Sequence, residues 1–418
     1  MKLLTTQEQA LAAMLGGENV CATGKAGTGK STVVREFVST CPHPVDVTAS
    51  TGIAAINVRG RTLHSFCGIG LGPRPGQPVT KFIESLEQHP PFARARERIR
   101  RCRTLIVDEV SMLDGRIFDL VDHLFKHVRR SAAPFGGIQL IVVGDFLQLA
   151  PVRKGMEPYD WAFDSPGWRD AGFTYVNLER VWRQDEPEFI DCLNDFRQGN
   201  LSARSSRLLQ GRVIDFPDDS IPRLLTHNVQ VDKWNRSMLD RLPGKDTAIP
   251  AIMRGPQGQL DFLCRNLTTP EVLVLREGAT VMFTANAPAS DGRRPAFVNG
   301  QTGTVRSIGT GFGLEISVET DGGALIPLER YTWQYDWQDK HSAAFTQFPL
   351  RLAYGMTIHK AQGLTMHQAF IDIRAAREPG QAYVALSRVR SLEGVFLKAW
   401  FNGFVVSRRA LEFYENLS

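Results

Sequence analysis

Short apolar runs rich in β-branched residues alternate with longer mixed segments through the first half of the chain. Each run ends at a turn that carries glycine or polar residues, which is typical of strands in an open parallel sheet joined by helices. Four runs predict strands in this half: Asn19–Ala22, Val45–Ala49, Leu105–Val107 and Leu140–Val143. The pattern therefore predicts an α/β lobe in which ligands bind beyond the strand ends.

A second series of strand-like runs follows, and a segment of different texture interrupts it. The runs of this series are Leu224–Thr226, Thr280–Phe283, Ala369–Asp372 and Val395–Leu397. From about Gly300 to Pro349, glycines separate short stretches of alternating apolar and polar residues, a pattern that favours a small antiparallel barrel. We therefore predict two α/β lobes, the second of which contains an all-β insert.

The overall composition is that of an ordinary globular protein and excludes few functions. Hydrophobic residues make up 43% and charged residues 22% of the 418 positions. No apolar run approaches the roughly 20 residues needed to cross a bilayer, so no membrane association is expected. The six cysteines form no CxxC pair, and a cytoplasmic location is expected. The net charge of +5 is only weak support for a polyanionic partner.

A glycine-rich loop, Gly24–Ser31, matches the pattern G-x-x-x-x-G-K-[ST] and lies between a predicted strand and a helical run. Glycines at these positions allow backbone N–H groups to surround phosphate oxygens, because no Cβ blocks the approach. Lys30 would reach the β- and γ-phosphates, and Ser31 would hold Mg²⁺. The loop therefore predicts a nucleoside-triphosphate site.

Two carboxylates end the strand predicted downstream of this loop. Asp108 suits a contact to Mg²⁺, and Glu109 would polarise the attacking water. Loop and carboxylates together predict an NTPase, but they do not say what hydrolysis drives.

Further segments, in the same order along the chain, resemble the motifs of superfamily 1 helicases. These segments are Thr48–Ala55, Thr62–Phe66, Asp108–Met112, Gly144–Pro151, Thr357–Gly363 and Tyr383–Arg388. Pro134–Leu140, preceded by a helical stretch, closely resembles the signature of the Pif family. RecD-like and Dda-like helicases share many of these motifs, but Pro134–Leu140 favours the Pif type.

A member of the Pif family is expected to have two RecA-like lobes with ATP bound between them. The resemblance implies a first lobe at residues 1–182 and a second at 183–300 and 349–418. It also implies a small wedge insert at about 67–92 and an SH3-like β-barrel insert at 301–348. Movement is expected to be 5′-to-3′ on single-stranded DNA with unwinding of duplexes, and G-quadruplexes and RNA–DNA hybrids stay open as substrates.

The resemblance also assigns roles at the nucleotide site. Gln7 would read the adenine edge, and Gln148 would sense the γ-phosphate. Arg183 and Arg388 would reach in from the second lobe as arginine fingers, which makes hydrolysis depend on lobe closure. The residues expected to bind ATP or Mg²⁺ or to act in hydrolysis are Gln7, Gly24, Ala26, Gly27, Thr28, Gly29, Lys30, Ser31, Thr32, Asp108, Glu109, Gln148, Arg183, Gly363 and Arg388.

A DNA track across both lobes is implied in the same way. Its residues are Thr51, Gly52, Thr62, His64, Phe66, Thr226, Asn228, Thr357 and His359. Short polar side chains suit phosphate oxygens and carry no base code, so little sequence specificity is expected. Phe66 is equally compatible with a base contact and with the core. Trp333, Tyr335 and Trp337 share one face of a strand, where packing is favoured over base stacking.

Two other functions stay open on the sequence alone. One is a motor subunit of a RecD-like recombination or repair complex, and the other is a P-loop switch or kinase without motor activity. Arg183, Arg388 and the second-lobe motifs argue against the switch or kinase, because a kinase needs none of them. Single-stranded and forked DNA are the expected partners of a monomer of bacterial or phage type, with single-strand-binding or repair proteins left open.

Overall fold

The computed structural model describes most of the chain. The described residues are 5–58, 60–70, 72–73, 76–89, 92–152, 158–215, 218, 221–287, 296–297, 299–309, 314–337, 341–401 and 403–417. Positions 71, 74, 75, 90 and 91 of the expected wedge insert lie outside them, and so do the side chains of Tyr335 and Trp337.

The first lobe is built on a six-stranded sheet. Its strands are β1 (Val20–Gly24), β2 (Asp46–Ala49), β3 (Arg61–Thr62), β4 (Thr104–Asp108), β5 (Gln139–Gly144) and β6 (Thr174–Leu178). All neighbours are parallel, in the order β3-β2-β4-β5-β1-β6. Alternate residues of β4 and β5 join two different apolar clusters, so both faces of the sheet are buried. The predicted α/β lobe is confirmed.

Eight helices cover this sheet in the part of the first lobe that the structure describes. They are α1 (Thr5–Leu15), α2 (Lys30–Thr40), α3 (Gly52–Asn57), α4 (Leu63–Cys67), α5 (Val79–Glu87), α6 (Phe92–Arg101), α7 (Gly115–Arg129) and α8 (Pro166–Ala171). Helices α1 and α2 pack on one face of the sheet, and α4 to α8 cover the other. Helix α7 begins after Asp114, whose side chain accepts a hydrogen bond from the backbone N–H of Arg116.

The Pro134–Leu140 segment joins α7 to β5 through a tight turn. Phe135 is 1% exposed, and its ring centroid lies 5.1 Å from that of Phe118. Its backbone N–H donates to Oδ1 of Asp122 at 2.7 Å. The segment therefore anchors the end of α7 in the first-lobe core.

The chain after β6 contains two parallel-sheet segments separated by antiparallel strands. Its elements are α9 (Pro187–Gln198), α10 (Ala203–Gln210), β7 (Arg223–Leu225), α11 (Asn228–Asp240), β8 (Thr247–Pro250), β9 (Ile252–Arg254), α12 (Gln257–Asn266), β10 (Val272–Leu275), β11 (Thr280–Phe283), β12 (Thr302–Gly309), β13 (Glu315–Thr320), β14 (Leu325–Leu328), β15 (Tyr331–Trp337), β16 (His341–Gln347), β17 (Leu350–Leu352), β18 (Gly355–Thr357), β19 (Ala369–Ile371), α13 (Gln381–Leu386), β20 (Val395–Leu397) and α14 (Arg408–Glu415). The second lobe is a parallel sheet in the order β18-β7-β19-β20.

The antiparallel unit is larger than the predicted insert. One of its sheets has the order β14-β13-β12-β11-β17, a second has the order β15-β16-β9, and a third pairs β10 with β8. Strands β8 to β11 lie before residue 301, so the assignment of 183–300 to the second lobe is wrong for these strands. Thr280–Phe283 pairs antiparallel with its neighbours, because a run of four apolar residues does not distinguish a parallel from an antiparallel strand.

Trp333 packs inside the antiparallel unit. It is 8% exposed and belongs to a cluster with Leu263 of α12 and Phe345 of β16. At this position the structure agrees with packing rather than base stacking.

The C-terminal helix returns to the first lobe. Phe413 of α14 is 9% exposed, and its ring centroid lies 4.4 Å from that of Phe163 and 5.0 Å from that of Phe146. The assignment of all residues from 349 to 418 to the second lobe is therefore wrong for α14. Packing between elements that are distant in sequence leaves no local signal at the helix itself.

None of the helices in the described part of the chain combines the length and the apolar character that crossing a membrane requires.

We expect Phe413→Ala to destabilise the first lobe by about 3 kcal/mol, because it empties a site among packed aromatic rings. Urea unfolding followed by tryptophan fluorescence measures the change. Arg408→Ala on the same helix is the matched control, since the Arg408 side chain is 93% exposed. Equal unfolding midpoints for the two variants would show that α14 does not support the first lobe.

Candidate nucleotide site between the lobes

The loop between β1 and α2 has the backbone that a phosphate cradle requires. Gly24, Gly27 and Gly29 have φ values of 154°, 78° and 86°, which a residue with a Cβ rarely adopts. Lys30 Nζ donates to the carbonyl oxygens of Gly24 at 2.6 Å and Lys25 at 2.9 Å. Burial lowers the pKa of Lys30, so a bound anion would stabilise its charged form.

The side chains of Gln7 and Trp182 border this loop. Gln7 is 1% exposed, and its Nε2 donates to the carbonyl oxygen of Thr28 at 3.3 Å. Trp182 is 40% exposed, with the guanidinium of Arg180 4.2 Å from its ring centroid. A Cβ on Gly29 would lie within 4 Å of both Gln7 and Trp182. The amide and the indole are therefore placed to meet a base attached to loop-bound phosphates.

Strand β4 ends in the two predicted carboxylates. Asp108 Oδ1 accepts a hydrogen bond from the backbone N–H of Glu109 at 2.9 Å. Burial and the adjacent charge of Glu109 raise the pKa of Asp108 to about 7. Burial also raises the pKa of Glu109, whose Oε2 accepts a hydrogen bond from Gln362 Nε2 at 3.0 Å. Both carboxylates are poorly solvated, so a nearby cation would stabilise their charged forms.

Two arginines that follow the first-lobe strands in the chain, Arg183 and Arg388, reach the same region. Arg388 is 1% exposed and donates to the carbonyl oxygen of Val384 at 2.8 Å and to Ser387 Oγ at 2.7 Å. Arg183 Nη1 donates to the carbonyl oxygen of Ser387 at 3.0 Å. Burial lowers the pKa of Arg388 to about 9, and the charge of Arg183 adds to this effect. Two cations are thus held side by side in a region that disfavours charge.

A cavity of about 750 Å³ brings the predicted residues of both lobes together. Those lining it are Ala26, Gly27, Thr28, Gly29, Lys30, Ser31, Thr32, Glu109, Gln148, Arg183, Gly363 and Arg388. Within the described ranges, Lys30, Arg183 and Arg388 form no ion pair with a carboxylate at 4 Å or less. Lys30, Arg183 and Arg388 therefore face one cavity with no carboxylate ion pair among the described residues, which suits a polyphosphate.

The second lobe also contacts the loop directly. Tyr383 of α13 accepts a hydrogen bond at its hydroxyl oxygen from the backbone N–H of Ala26 at 2.9 Å. A Cβ on Gly27 would lie 2.7 Å from the Cβ of Arg183. The loop is therefore sensitive to the position of the second lobe.

The structure agrees only in part with the DNA track that the resemblance implies. The Thr51 and Thr62 hydroxyls cap α3 and α4, by accepting hydrogen bonds from the backbone N–H groups of Ala54 and Ser65. His64 is partly buried, and this burial lowers its pKa. These groups lie at helix N-termini, where phosphate oxygens bind readily.

In the second lobe, Asn228 is exposed at the start of α11, and Thr226 bonds to His227 Nδ1 at 2.8 Å. His359 is exposed, but Thr357 is only 5% exposed and its hydroxyl accepts a hydrogen bond from the Lys360 N–H. Thr357 is therefore a weaker candidate for a DNA contact than the resemblance implies.

Two first-lobe positions of the track are covered. Phe66 is 1% exposed and packs against Phe125, so the expectation of a base contact is wrong for this residue. Gly52 is buried, and a Cβ there would lie 1.8 Å from Asn266 Oδ1 of α12. The antiparallel unit thus covers the start of α3, and Gly52 faces Asn266 rather than solvent.

Comparison with known proteins places this geometry in a family. The model of the PIF1-like helicase family matches residues 4–207. A Bdellovibrio bacteriovorus protein named ATP-dependent DNA helicase Pif1 is 35% identical over 419 residues, which cover 99% of this chain and 92% of that protein. This chain belongs to the PIF1-like helicase family.

The chain is also similar to a vertebrate member of the family and to solved structures of other members. The ATP-dependent DNA helicase PIF1 of Danio rerio is 38% identical over 398 residues, covering 94% of this chain but 60% of its own length. A crystal structure of Bacteroides sp Pif1 in complex with ADP-AlF4 matches with a TM-score of 0.84 and 30% identity, covering 100% of this chain and 97% of that one. The RecA-like α/β architecture of the PIF1-like family is thereby established for this chain.

Several residues of the PIF1-like site were missed by sequence reasoning. Gln362 and Tyr383 lie inside recognised motifs, but their hydrogen bonds to Glu109 and Ala26 depend on how the lobes meet. Trp182 directly precedes Arg183. It is notable as a large aromatic side chain that is 40% exposed, and the sequence alone does not reveal exposure. Arg197 lies outside every recognised motif, and nothing local distinguishes it from other helix arginines.

We expect Glu109→Gln to bind ATP but to hydrolyse it about 10²- to 10⁴-fold more slowly, because the base is lost.

Gln362→Ala should slow hydrolysis by about tenfold, because Glu109 loses the amide that orients it. Steady-state ATPase assays measure both effects. Gln368→Ala is the matched control, since Gln368 is exposed and is not among the residues that line the cavity. Full activity of Gln362→Ala beside an inactive Glu109→Gln would remove Gln362 from the site.

Proposed function

We propose that this chain is an ATP-dependent DNA helicase that moves 5′-to-3′ along single-stranded DNA and separates duplexes. One observation carries the proposal. Lys30 from the first lobe and Arg183 and Arg388 from the second lobe face one cavity without a carboxylate ion pair in the described part of the chain. A triphosphate would neutralise all three only when the lobes are together.

The residues around the cavity have the roles that phosphoryl transfer requires. Backbone N–H groups of Gly27–Thr32 would hold the phosphates, with Gln7 and Trp182 on the base side. Glu109 would accept the proton of the attacking water, and Gln148 would contact the γ-phosphate. Arg183 and Arg388 would stabilise the charge that spreads over the transferred group, an effect worth about 10³ to 10⁵ in rate.

Ser31 and Asp108 fit Mg²⁺, because hydroxyl and carboxylate oxygens are the ligands that this ion prefers. The raised pKa of Asp108 marks a carboxylate whose charged form a cation would stabilise. Held by Ser31 and Asp108, Mg²⁺ would supply positive charge that offsets the charge of the phosphates.

Hydrolysis would be converted to movement because the site is shared between lobes. Loss of the γ-phosphate removes the anion that draws the two arginines toward Lys30, so the lobes separate. A non-motor NTPase would have no use for this division of the site. The named Pif1 relatives are DNA helicases, which supports DNA as the track.

The proposed DNA contacts are the exposed or partly exposed polar groups at helix N-termini and strand ends. They are Thr51, Thr62, His64, Thr226, Asn228 and His359. Such groups bind phosphates and read no bases, so binding is expected to be independent of sequence. Single-stranded and forked DNA are the proposed substrates of one molecule in the cytoplasm, with single-strand-binding or repair proteins as candidate partners.

The test of function and direction is ATP-dependent strand separation on two partial duplexes, one with a 5′ tail and one with a 3′ tail. We expect only the 5′-tailed duplex to be unwound. Unwinding of only the 3′-tailed duplex would contradict the direction and keep the motor. Failure on both substrates would contradict the proposed function of the chain acting alone and favour the complex-bound RecD-like alternative.

Lys30→Ala is the control for that experiment. It should abolish ATP hydrolysis and unwinding, because the cation that contacts the β- and γ-phosphates is lost, while single-stranded DNA binding stays measurable. Fluorescence anisotropy with a labelled oligonucleotide measures the binding. Retained ATP turnover would show that the phosphate loop is not the hydrolytic site.

A further inference from the structure

A buried ion pair joins the loop after β5 to helix α9. Asp145 in this loop is 0% exposed, and Arg197 of α9 is 7% exposed. Arg197 Nη2 donates to Asp145 Oδ1 at 2.8 Å, and its Nε donates to Asp145 Oδ2 at 3.2 Å. Burial alone would raise the pKa of Asp145, but the charge and hydrogen bonds of Arg197 outweigh it and hold that pKa below its usual value. This two-point contact fixes both the distance and the orientation of the two groups.

The same carboxylate holds the amide of Gln148, which lines the nucleotide cavity. Gln148 Nε2 donates to Asp145 Oδ2 at 3.1 Å. On the other side, a Cβ on Gly380 would lie 2.1 Å from the backbone oxygen of Gln148, so the second-lobe backbone packs against this residue. Asp145 therefore holds the Gln148 side chain, while second-lobe atoms pack against the Gln148 backbone.

A tyrosine of the C-terminal helix completes the network. The Tyr414 hydroxyl donates to Asp145 Oδ1 at 3.2 Å and accepts from the backbone N–H of Phe146 at 3.2 Å. It also lies 2.5 Å from Thr23 Oγ1 in β1, immediately before the phosphate loop. The guanidinium carbon of Arg197 lies 4.8 Å from the centroid of the Tyr414 ring. Tyr414 therefore links β1, the loop after β5 and α9.

The network of Asp145, Arg197, Tyr414 and Gln148 is suited to holding side chains in fixed positions more than to adding stability. A buried ion pair is weak evidence for stability, because desolvation of both charges offsets their attraction. A fully hydrogen-bonded buried network does fix the geometry of its members. Of the four members Asp145, Gln148, Arg197 and Tyr414, Gln148 lines the cavity, while Arg197 and Tyr414 lie on α9 and α14.

We propose that Arg197 and Tyr414 are positioning residues for ATP hydrolysis, which act through Asp145 to orient the Gln148 amide toward the γ-phosphate. The inference rests on the proposed ATPase site and goes beyond it, since it makes hydrolysis depend on the contact of α9 and α14 with the first lobe. Neither residue is among those that line the nucleotide cavity. Their loss should change the rate of hydrolysis and leave nucleotide affinity in place.

The test is a double-mutant cycle on ATP turnover without DNA, with Tyr414→Phe, Arg197→Met and Gln148→Ala alone and combined. We expect Tyr414→Phe and Arg197→Met to lower kcat about tenfold to hundredfold while the Kd of a fluorescent ATP analogue changes less than about threefold. In the Gln148→Ala background, either change should lower kcat by less than about twofold, because the group that they orient is already gone.

Matched controls separate positioning from general destabilisation. Tyr175→Phe removes a tyrosine hydroxyl that accepts a hydrogen bond from Trp168 Nε1 on the first lobe, and Arg204→Met breaks an exposed ion pair with Glu188. Neither control should lower kcat. Arg197→Lys should recover part of the activity that Arg197→Met loses, because it keeps the charge.

Effects that multiply independently in the Gln148→Ala background would overturn the proposal, and so would loss of nucleotide affinity in step with kcat. Tyr414→Phe retains the ion pair, so it tests the proposal even where Arg197→Met fails to fold. Failure of the helicase proposal would appear separately, as wild-type protein that hydrolyses ATP but separates no strands.

Discussion

Positive charge in the cleft between the lobes is the constraint on which the rest of the structure depends. Burial lowers the pKa of Lys30, Arg183 and Arg388, and none has a carboxylate at ion-pair distance in the described residues. Packing these groups together costs free energy that other contacts must offset. Hydrogen bonds to backbone carbonyls hold each cation in place, so a triphosphate meets charges that are already oriented.

The connection between the lobes is built around that cleft. Helix α14 leaves the second lobe and returns to the first-lobe core, where Phe413 packs and Tyr414 reaches Asp145. Helix α9 brings Arg197 to the same carboxylate from the other side. The residue expected to sense the γ-phosphate, Gln148, is thus linked through Asp145 to two helices that follow the first-lobe strands, α9 and α14. This arrangement gives the nucleotide state a direct physical route to the relative position of the lobes.

The sequence predicted what is encoded locally. The spacing of Gly24, Gly29 and Lys30 requires a strand, a tight turn and a helix, and these are present. Arg183 and Arg388 were found only through resemblance, because no local pattern marks an arginine that acts across a cleft. Phe66, Thr280–Phe283 and α14 were misplaced, since their positions depend on packing between distant segments. The sequence does not indicate the Asp145–Arg197 contact either, because it too joins segments that are distant along the chain.

The most direct test of the shared site is single-turnover ATP hydrolysis by Arg388→Ala, with nucleotide affinity measured on the same protein. Arg377→Ala is the control, since Arg377 is exposed. Hydrolysis by Arg388→Ala should be slower by about 10³-fold or more, because the second-lobe cation is lost from the transition state. Affinity should change far less, since Lys30 and the loop remain. Hydrolysis near the wild-type rate would contradict a site built from both lobes.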